Sequence, residues 1–181
     1  MRQLLLLFVL TLNTSEVFAA GIDIGRSETQ LVDGVYQLNA DIYYTLSDEV
    51  LEALENGVII TMQVAIKVER VREYLWNEHI GSQLQRYQLK YHALSGQYLV
   101  ERLDSIERQS YLSLASALRA VGTIRDLPVL DHSKIKEGET YQVQVRSELD
   151  TNALPAPLRP MAWLSSGWQL QSKWVTCPLR S

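Results

Sequence analysis

Apolar side chains recur at every second position over most of this chain. In residues 35–44, Tyr36, Leu38, Ala40, Ile42 and Tyr44 fall on one side, with Gln37, Asn39 and Asp41 on the other. That period of two is a half-buried strand. In residues 58–68 the alternation is cleaner, with Val58, Ile60, Met62, Val64, Ile66 and Val68 against Thr61, Gln63 and Lys67. One face sees core and one sees water, as in an antiparallel sheet. Residues 83–93 place Tyr87, Leu89, Tyr91 and Ala93 on one face, Ser95-Gly96 supplies a turn, and 97–102 returns as a hairpin partner that 107–110 extends. Residues 140–149 alternate Tyr141, Val143 and Val145 against Gln142, Gln144 and Arg146, and residues 168–176 set Trp168, Leu170 and Trp174 against Gln169, Gln171 and Lys173. Both predict strands.

The period changes twice. Residues 46–57 read as a short helix: Ser47 caps, Asp48 and Glu49 suit the positive end of the helix dipole, Leu46 staples onto Leu51, and Gly57 ends the turn. Leu114, Leu118 and Val121 at i, i+4 and i+7, followed by Gly122, predict a second helix. Residues 154–160, with prolines at 155, 157 and 160, predict a crossing loop or sheet edge, because proline cannot donate to a ladder. Six to eight strands with no linker and no internal repeat predict a mainly β fold, an antiparallel β-sandwich-like single domain with two short inserted helices.

The N-terminus has a different pattern. Arg2 precedes an apolar run at 4–12, then a polar stretch ending in Val17-Phe18-Ala19-Ala20. That order predicts a signal peptide over 1–19, leaving 20–181 as a single exported β-rich domain that does not span a membrane after cleavage. The run is too short for a stable spanning helix, which needs about 20 apolar residues. The single cysteine, Cys177, excludes an intramolecular disulfide. It is expected either as a small buried residue or as a partner for another chain.

Composition narrows the function classes. With 17 Lys and Arg against 21 Asp and Glu, the formal charge is −4, and the pI near 5.4 lacks the basic footprint of a nucleic-acid binder. His79, His92 and His132 are isolated, so their spacing predicts no metal site, and no glycine-rich phosphate loop or other cofactor motif is present. Asp131-His132-Ser133 contains the letters of a catalytic triad, but neighbours in sequence cannot relay a proton in the required geometry. Arg70, Arg72, Arg102 and Arg108 are interleaved with Glu69, Glu73, Glu101 and Glu107, which predicts cross-strand ion pairs on a solvated face.

Aromatics are the remaining lead. Nine Tyr and four Trp against two Phe mean that most aromatic mass carries a polar tip, suited to sheet surfaces and recognition sites. Trp76 lies in a polar connection with no strand face to join, and is the leading candidate for an exposed anchor. Arg125 and Asp126 ahead of Pro128, and Arg159 in the proline-rich loop, complete the candidate partner-binding set. Trp163 and Trp168 are expected in the core at the end of the sandwich.

Four blocks in order carry a family likeness: LSDEVLEALENG at 46–57, YQLKYHALSGQY at 87–98, IRDLP at 124–128, and LPAPLRP at 154–160 with Trp168. Together they resemble the uncharacterised family called domain of unknown function 4390. The resemblance implies an exported, periplasmic protein of Gram-negative bacteria, and carries over no catalytic residues. The family's chromosomal position near a sensor kinase of the nitrogen-regulation type further implies a role in envelope signalling. The expected function is a non-enzymatic binding module whose partner is an envelope protein such as a sensor-kinase ectodomain. Two alternatives stay open. One is an envelope hydrolase using distant carboxylates such as Asp41 and Asp126, and the other a lipid or small-ligand carrier with a cavity on the Met62 and Val64 face.

Overall fold

The computed structural model describes residues 20–105 and 107–179, so the signal peptide expected at 1–19 lies outside the described residues. The chain opens with a hairpin of β1 (Gly21–Val32) and β2 (Val35–Thr45). Its turn is Asp33-Gly34, both at positive φ (49° and 78°), the two-residue geometry that matches strand twist. β1 was not legible as a strand because its period is interrupted. Gly25 is an extra residue between the pairs Ile24↔Ile42 and Arg26↔Asp41, a bulge that moves the inward positions from Ile22 and Ile24 to the odd-numbered Thr29 and Leu31.

After β2 comes α1 (Asp48–Glu55), capped as expected by the Ser47 side chain, which accepts from the Val50 N–H. β3 (Ile60–Arg70), β4 (Glu78–His92), β5 (Gln97–Arg102) and β6 (Arg108–Tyr111) form an antiparallel meander. α2 (Leu114–Gly122), capped by Ser113, leads into β7 (Thr123–Asp131). β8 (Tyr141–Leu149), the short α3 (Arg159–Leu164) and β9 (Val175–Pro178) complete the order. The two sheets run β1-β2-β7 and β6-β5-β4-β3-β8-β9, antiparallel throughout.

One core fills the space between the sheets. It holds Leu38, Ala40 and Ile42 of β2, Met62, Val64 and Ile66 of β3, Val143 and Val145 of β8, and Val50 and Leu54 of α1. A polar link crosses its interior: the Tyr44 hydroxyl lies 2.9 Å from Ser147 Oγ, and Ser147 donates onward to the Gln63 carbonyl at 3.2 Å. Burial raises the Tyr44 pKa well above the ordinary tyrosine value, the Ser147 hydrogen bond opposing it, so the phenol stays neutral and pairs as a neutral group. Along one side the sheets are tied by Thr29, whose hydroxyl donates to the Pro178 carbonyl at 2.8 Å. Cys177 is buried there and accepts from Ser27 Oγ at 3.3 Å.

Gly122 ends α2 for a reason that the sequence pattern does not contain. A Cβ at this position would stand 1.9 Å from the Ile42 carbonyl oxygen, so glycine is required for the helix end to abut β2. The proline-rich stretch also departs from expectation. Residues 154–158 form the expected loop, but the last two residues of the stretch open α3, with Pro160 in the first turn, where a missing N–H costs nothing. Residues 168–176 bury Trp168, Leu170 and Ser172 in alternation, and Ser172 N–H donates to the Ser147 carbonyl at 2.8 Å. Only Val175–Pro178, however, forms a continuous strand. Trp174 leaves the inner face. Its ring lies under Lys67 Nζ (4.5 Å) and the Arg146 guanidinium (4.8 Å) on the outer face of the large sheet.

Candidate interaction surfaces at the two ends of the sandwich

β3 and β4 are joined by a connection over 71–77 whose base is clamped by charge. Glu78 accepts from both Arg70 and Arg72, and Arg70 Nη1 reaches Glu139 at 3.5 Å. Glu69 accepts from Asn77 at 3.1 Å and from Gln142 at 3.2 Å, and Val71 N–H donates to the Thr140 carbonyl at 2.8 Å. The Arg72 hydrogen bond, supported by Arg70 and opposed by partial desolvation, holds the Glu78 carboxyl below the ordinary glutamate value. The interleaved charges foreseen as cross-strand pairs thus gather here, while Arg102 with Glu107 and Arg108 with Glu101 form separate exposed pairs. Beyond the clamp, Tyr74, Leu75 and Trp76 stand in solvent, Trp76 at 93% exposure.

The opposite end is closed by helices. Ser47 Oγ donates to the Gly167 carbonyl at 2.7 Å, and Ser165 Oγ to Glu49 Oε2 at 2.5 Å. A Cβ on Gly167 would lie 2.9 Å from that carboxylate. These contacts seat the end of α3 on the first turn of α1. α3 gives only Ala162 to the core and leaves Met161, Trp163 (57%) and Leu164 exposed. Trp163, expected in the core, is therefore a surface residue: a one-turn helix at the rim has one side against the domain, and Ala162 occupies it. Trp168 is buried as expected. Between the end of β2 and the two longer helices runs an open groove of about 760 Å³ lined by Tyr44, Leu46, Leu51, Leu114 and Leu118, with Asp41 and Arg125 at its rim.

The four residues singled out from sequence do not converge. Trp76 is at the hairpin tip. Arg125 and Asp126 sit together opposite Asn39, forming a bulge in β7 between the pairs Leu38↔Leu127 and Ala40↔Ile124. Arg125 donates to the Ala40 and Ile124 carbonyls at 3.0 and 2.8 Å and pairs with Asp41. Asp126, at φ 50°, donates its N–H to Asn39 Oδ1 at 2.9 Å and accepts from Gln30 at 3.1 Å. Arg159 Nε donates to the Leu154 carbonyl at 2.8 Å. The three charged residues thus serve local backbone geometry. Their neighbours give no hint of this in sequence, because a bulge shows itself only when the partner strand is in place.

The residues considered for other chemistry have separate partners too. Asp41 is taken up by Arg125 and Asp126 by Gln30 and Asn39. Ser133 donates its hydroxyl to Asp131 at 2.6 Å and its N–H at 2.8 Å, bonds that hold the Asp131 carboxyl below its ordinary value. His132 turns instead to the Tyr36 hydroxyl, 3.2 Å from Nδ1. Among the described residues no three His, Cys, Asp or Glu side chains gather as a metal site would need. Met62 and Val64 are fully buried within the packed core. Sequence reasoning picked out Trp76 but not its neighbours Tyr74 and Leu75, and it missed Met161, Trp163 and Leu164. The available signal for the last three was the run Met161-Ala162-Trp163-Leu164 directly behind Pro160, a short apolar segment without strand alternation.

Two antiparallel sheets around one core, helices closing one end and a clamped hairpin projecting at the other, define a β-sandwich that exposes Tyr74, Leu75 and Trp76 at one end and Met161, Trp163 and Leu164 at the other. Among the described residues no helix is long and apolar enough to cross a membrane. The chain belongs to the family described as a domain of unknown function (DUF4390), whose model matches residues 19–178. No curated protein and no solved structure matches it.

Proposed function

We propose that this chain is a non-enzymatic binding module of the bacterial cell envelope, exported to the periplasm, with the β3–β4 hairpin tip as its contact with another envelope protein. One observation carries the reading: three consecutive large side chains, Tyr74, Leu75 and Trp76, project into solvent from a hairpin whose base is fixed by Arg70, Arg72 and Glu78. Trp and Tyr carry large contact area on few rotatable bonds and so lose little freedom on binding, which is why they are enriched at interface hot spots. The leader-like pattern at 1–19 supports export. The family likeness makes a sensor-kinase ectodomain the first partner to test.

Crosslinking in intact cells, purification under denaturing conditions and mass spectrometry of attached proteins test the reading. A reproducible envelope partner is expected, and Trp76→Ala should weaken its capture about tenfold or more without loss of folded protein. Equal capture by a folded Trp76→Ala chain, or recovery of the protein alone, would overturn it.

A further inference from the structure

At its last residues β2 has a paired strand on one side only. β1 follows it as far as Gly21↔Thr45, whereas the β7 ladder stops at Asp41↔Thr123. The Ala40 carbonyl accepts from Arg125 of β7, and the Ile42 carbonyl faces Gly122 at the end of α2. Both point away from β1, and strand alternation gives Tyr44 the same orientation. Beyond Gly122 the ladder has no strand on that side. Among the described residues, no backbone bond outside the β1 ladder reaches residues 42–45. The Tyr44 N–H and C=O are therefore a short stretch of open sheet edge, a template for another chain.

That edge borders the groove between β2, α1 and α2. Both faces of β2 contribute to its lining, Tyr43 and Thr45 from one and Ile42 and Tyr44 from the other, as happens where a groove follows a strand edge. Leu46 and Leu51 form one apolar wall, Leu114 and Leu118 the other. Three charged side chains, Asp41, Arg119 and Arg125, line the end where Gly122 abuts β2. Asp41 is held by Arg125. Arg119 is exposed on the last turn of α2, where its carbonyl accepts from the Thr123 hydroxyl at 2.7 Å. It enters none of the ion pairs among the described residues. At the other end, helical spacing puts Asp48 and Glu55 on the Leu51 side of α1. The groove is thus closed and cationic at Gly122, open and anionic at its mouth.

We infer that this groove takes the C-terminal segment of another polypeptide, added as a short strand antiparallel to β2 and in line with β7. A strand running from Leu46 toward Ile42 meets Gly122 and cannot continue, so a chain end fits there and a passing chain does not. Its terminal carboxylate comes to Arg119, with Arg125 beside it. Its last residue pairs with the Tyr44 N–H and C=O. Paired residues share a face, so that residue's side chain turns with Tyr44 toward the leucines and is apolar. A fatty acid would match the leucines and the arginine, but would cover the Tyr44 backbone groups without bonding them, which is unfavourable. The groove and the hairpin tip lie at opposite ends of the sandwich, and either reading can fail without the other.

The test uses the chain from Ala20, which contains all of the described fold, immobilised and exposed to a pool of random octapeptides with free C-termini or to the same pool amidated. Peptides ending in an apolar residue should be retained from the free pool and none from the amidated one. A retained peptide, resynthesised with a fluorophore at its N-terminus, should bind Arg119→Gln about tenfold more weakly, and should bind Trp76→Ala as it binds the natural sequence. Arg119 is exposed, so its replacement spares the core. Binding should also slow exchange of the Tyr44 amide, a sign of strand pairing that charge attraction alone would not give. No retained peptide, equal retention of the amidated pool, unchanged affinity of Arg119→Gln, or a Tyr44 amide left unprotected would each overturn the inference. Binding of palmitate in place of any peptide would overturn it in favour of an acyl ligand.

Discussion

The two ends of the sandwich expose similar side chains but hold them in different ways. At the hairpin end the apolar residues are consecutive, and the support is a set of ion pairs between long side chains around Glu78. At the helical end they come from distant segments, and the support is close packing: Gly122 against the Ile42 carbonyl and Gly167 against the Glu49 carboxylate, with hydroxyl caps between. Charge clamps are adjustable and depend on pH. The backbone-to-backbone contact of Gly122 with Ile42 is neither, so the seat of α2 on β2 should tolerate solution changes that loosen the tip, and should fail where a single methyl group is added.

The largest expected effect follows from that contrast. Gly122→Ala places a Cβ where only 1.9 Å separates it from a backbone oxygen, so helix and strand must part, at a cost of about 3 kcal/mol or more. Gly81→Ala, in β4 with nothing near its added Cβ, should be close to neutral. Urea denaturation of the two variants reads the difference, and equal midpoints would remove the packing account of the helical end. Next in size is Tyr44→Phe, which deletes the buried hydroxyl pair with Ser147 and should cost about 1 kcal/mol. An unchanged midpoint would mean that the pair contributes no net stability.

The smallest effect is local. Folding holds Glu78 below its ordinary value, so its contribution is complete above the unfolded glutamate pKa and is lost as pH falls through the lower folded value. Amide exchange over 71–77, corrected for its intrinsic pH dependence, should therefore become less protected on acidification below the usual carboxylate range, before the core strands open. Glu78→Gln should show that loosened tip already at neutral pH with the global midpoint little changed. Protection of 71–77 that stays constant across this range would break the contrast between an adjustable tip and a packed end.

Much of the fold was legible. The period of two marked β2, β3, β4 and β8, the Ser95-Gly96 turn marked β5 as a hairpin partner, and Ser47 and Leu114 to Val121 marked the helices, because strand faces, turns and helix caps are set by residues near one another in the chain. β1 and β7 were obscured by bulges at Gly25 and at Arg125-Asp126, and α3 by prolines that suit a helix start as well as a loop. The candidate contacts divided in the same way. Trp76 stood out because its exposure follows from a local mismatch between a large ring and a polar connection. Trp163 did not, because whether a ring at the rim turns inward depends on what already occupies the space beneath it.

The sequence by itself determined the strand periodicity, the helix starts, the lone cysteine, the leader-like N-terminus and the family likeness. Those features are written in the order and spacing of neighbouring residues. Only the tertiary structure decided the pairing of Gly21 with Thr45, the seat of α3 on α1, the burial of Cys177 beside Ser27, and the gathering of Leu46, Leu114 and Leu118 along one groove. The physical reason is that strand register and sheet order bring together residues as far apart as Ser27 and Cys177, 150 positions from one another, and a short-range pattern contains no information about which distant backbone will lie beneath it.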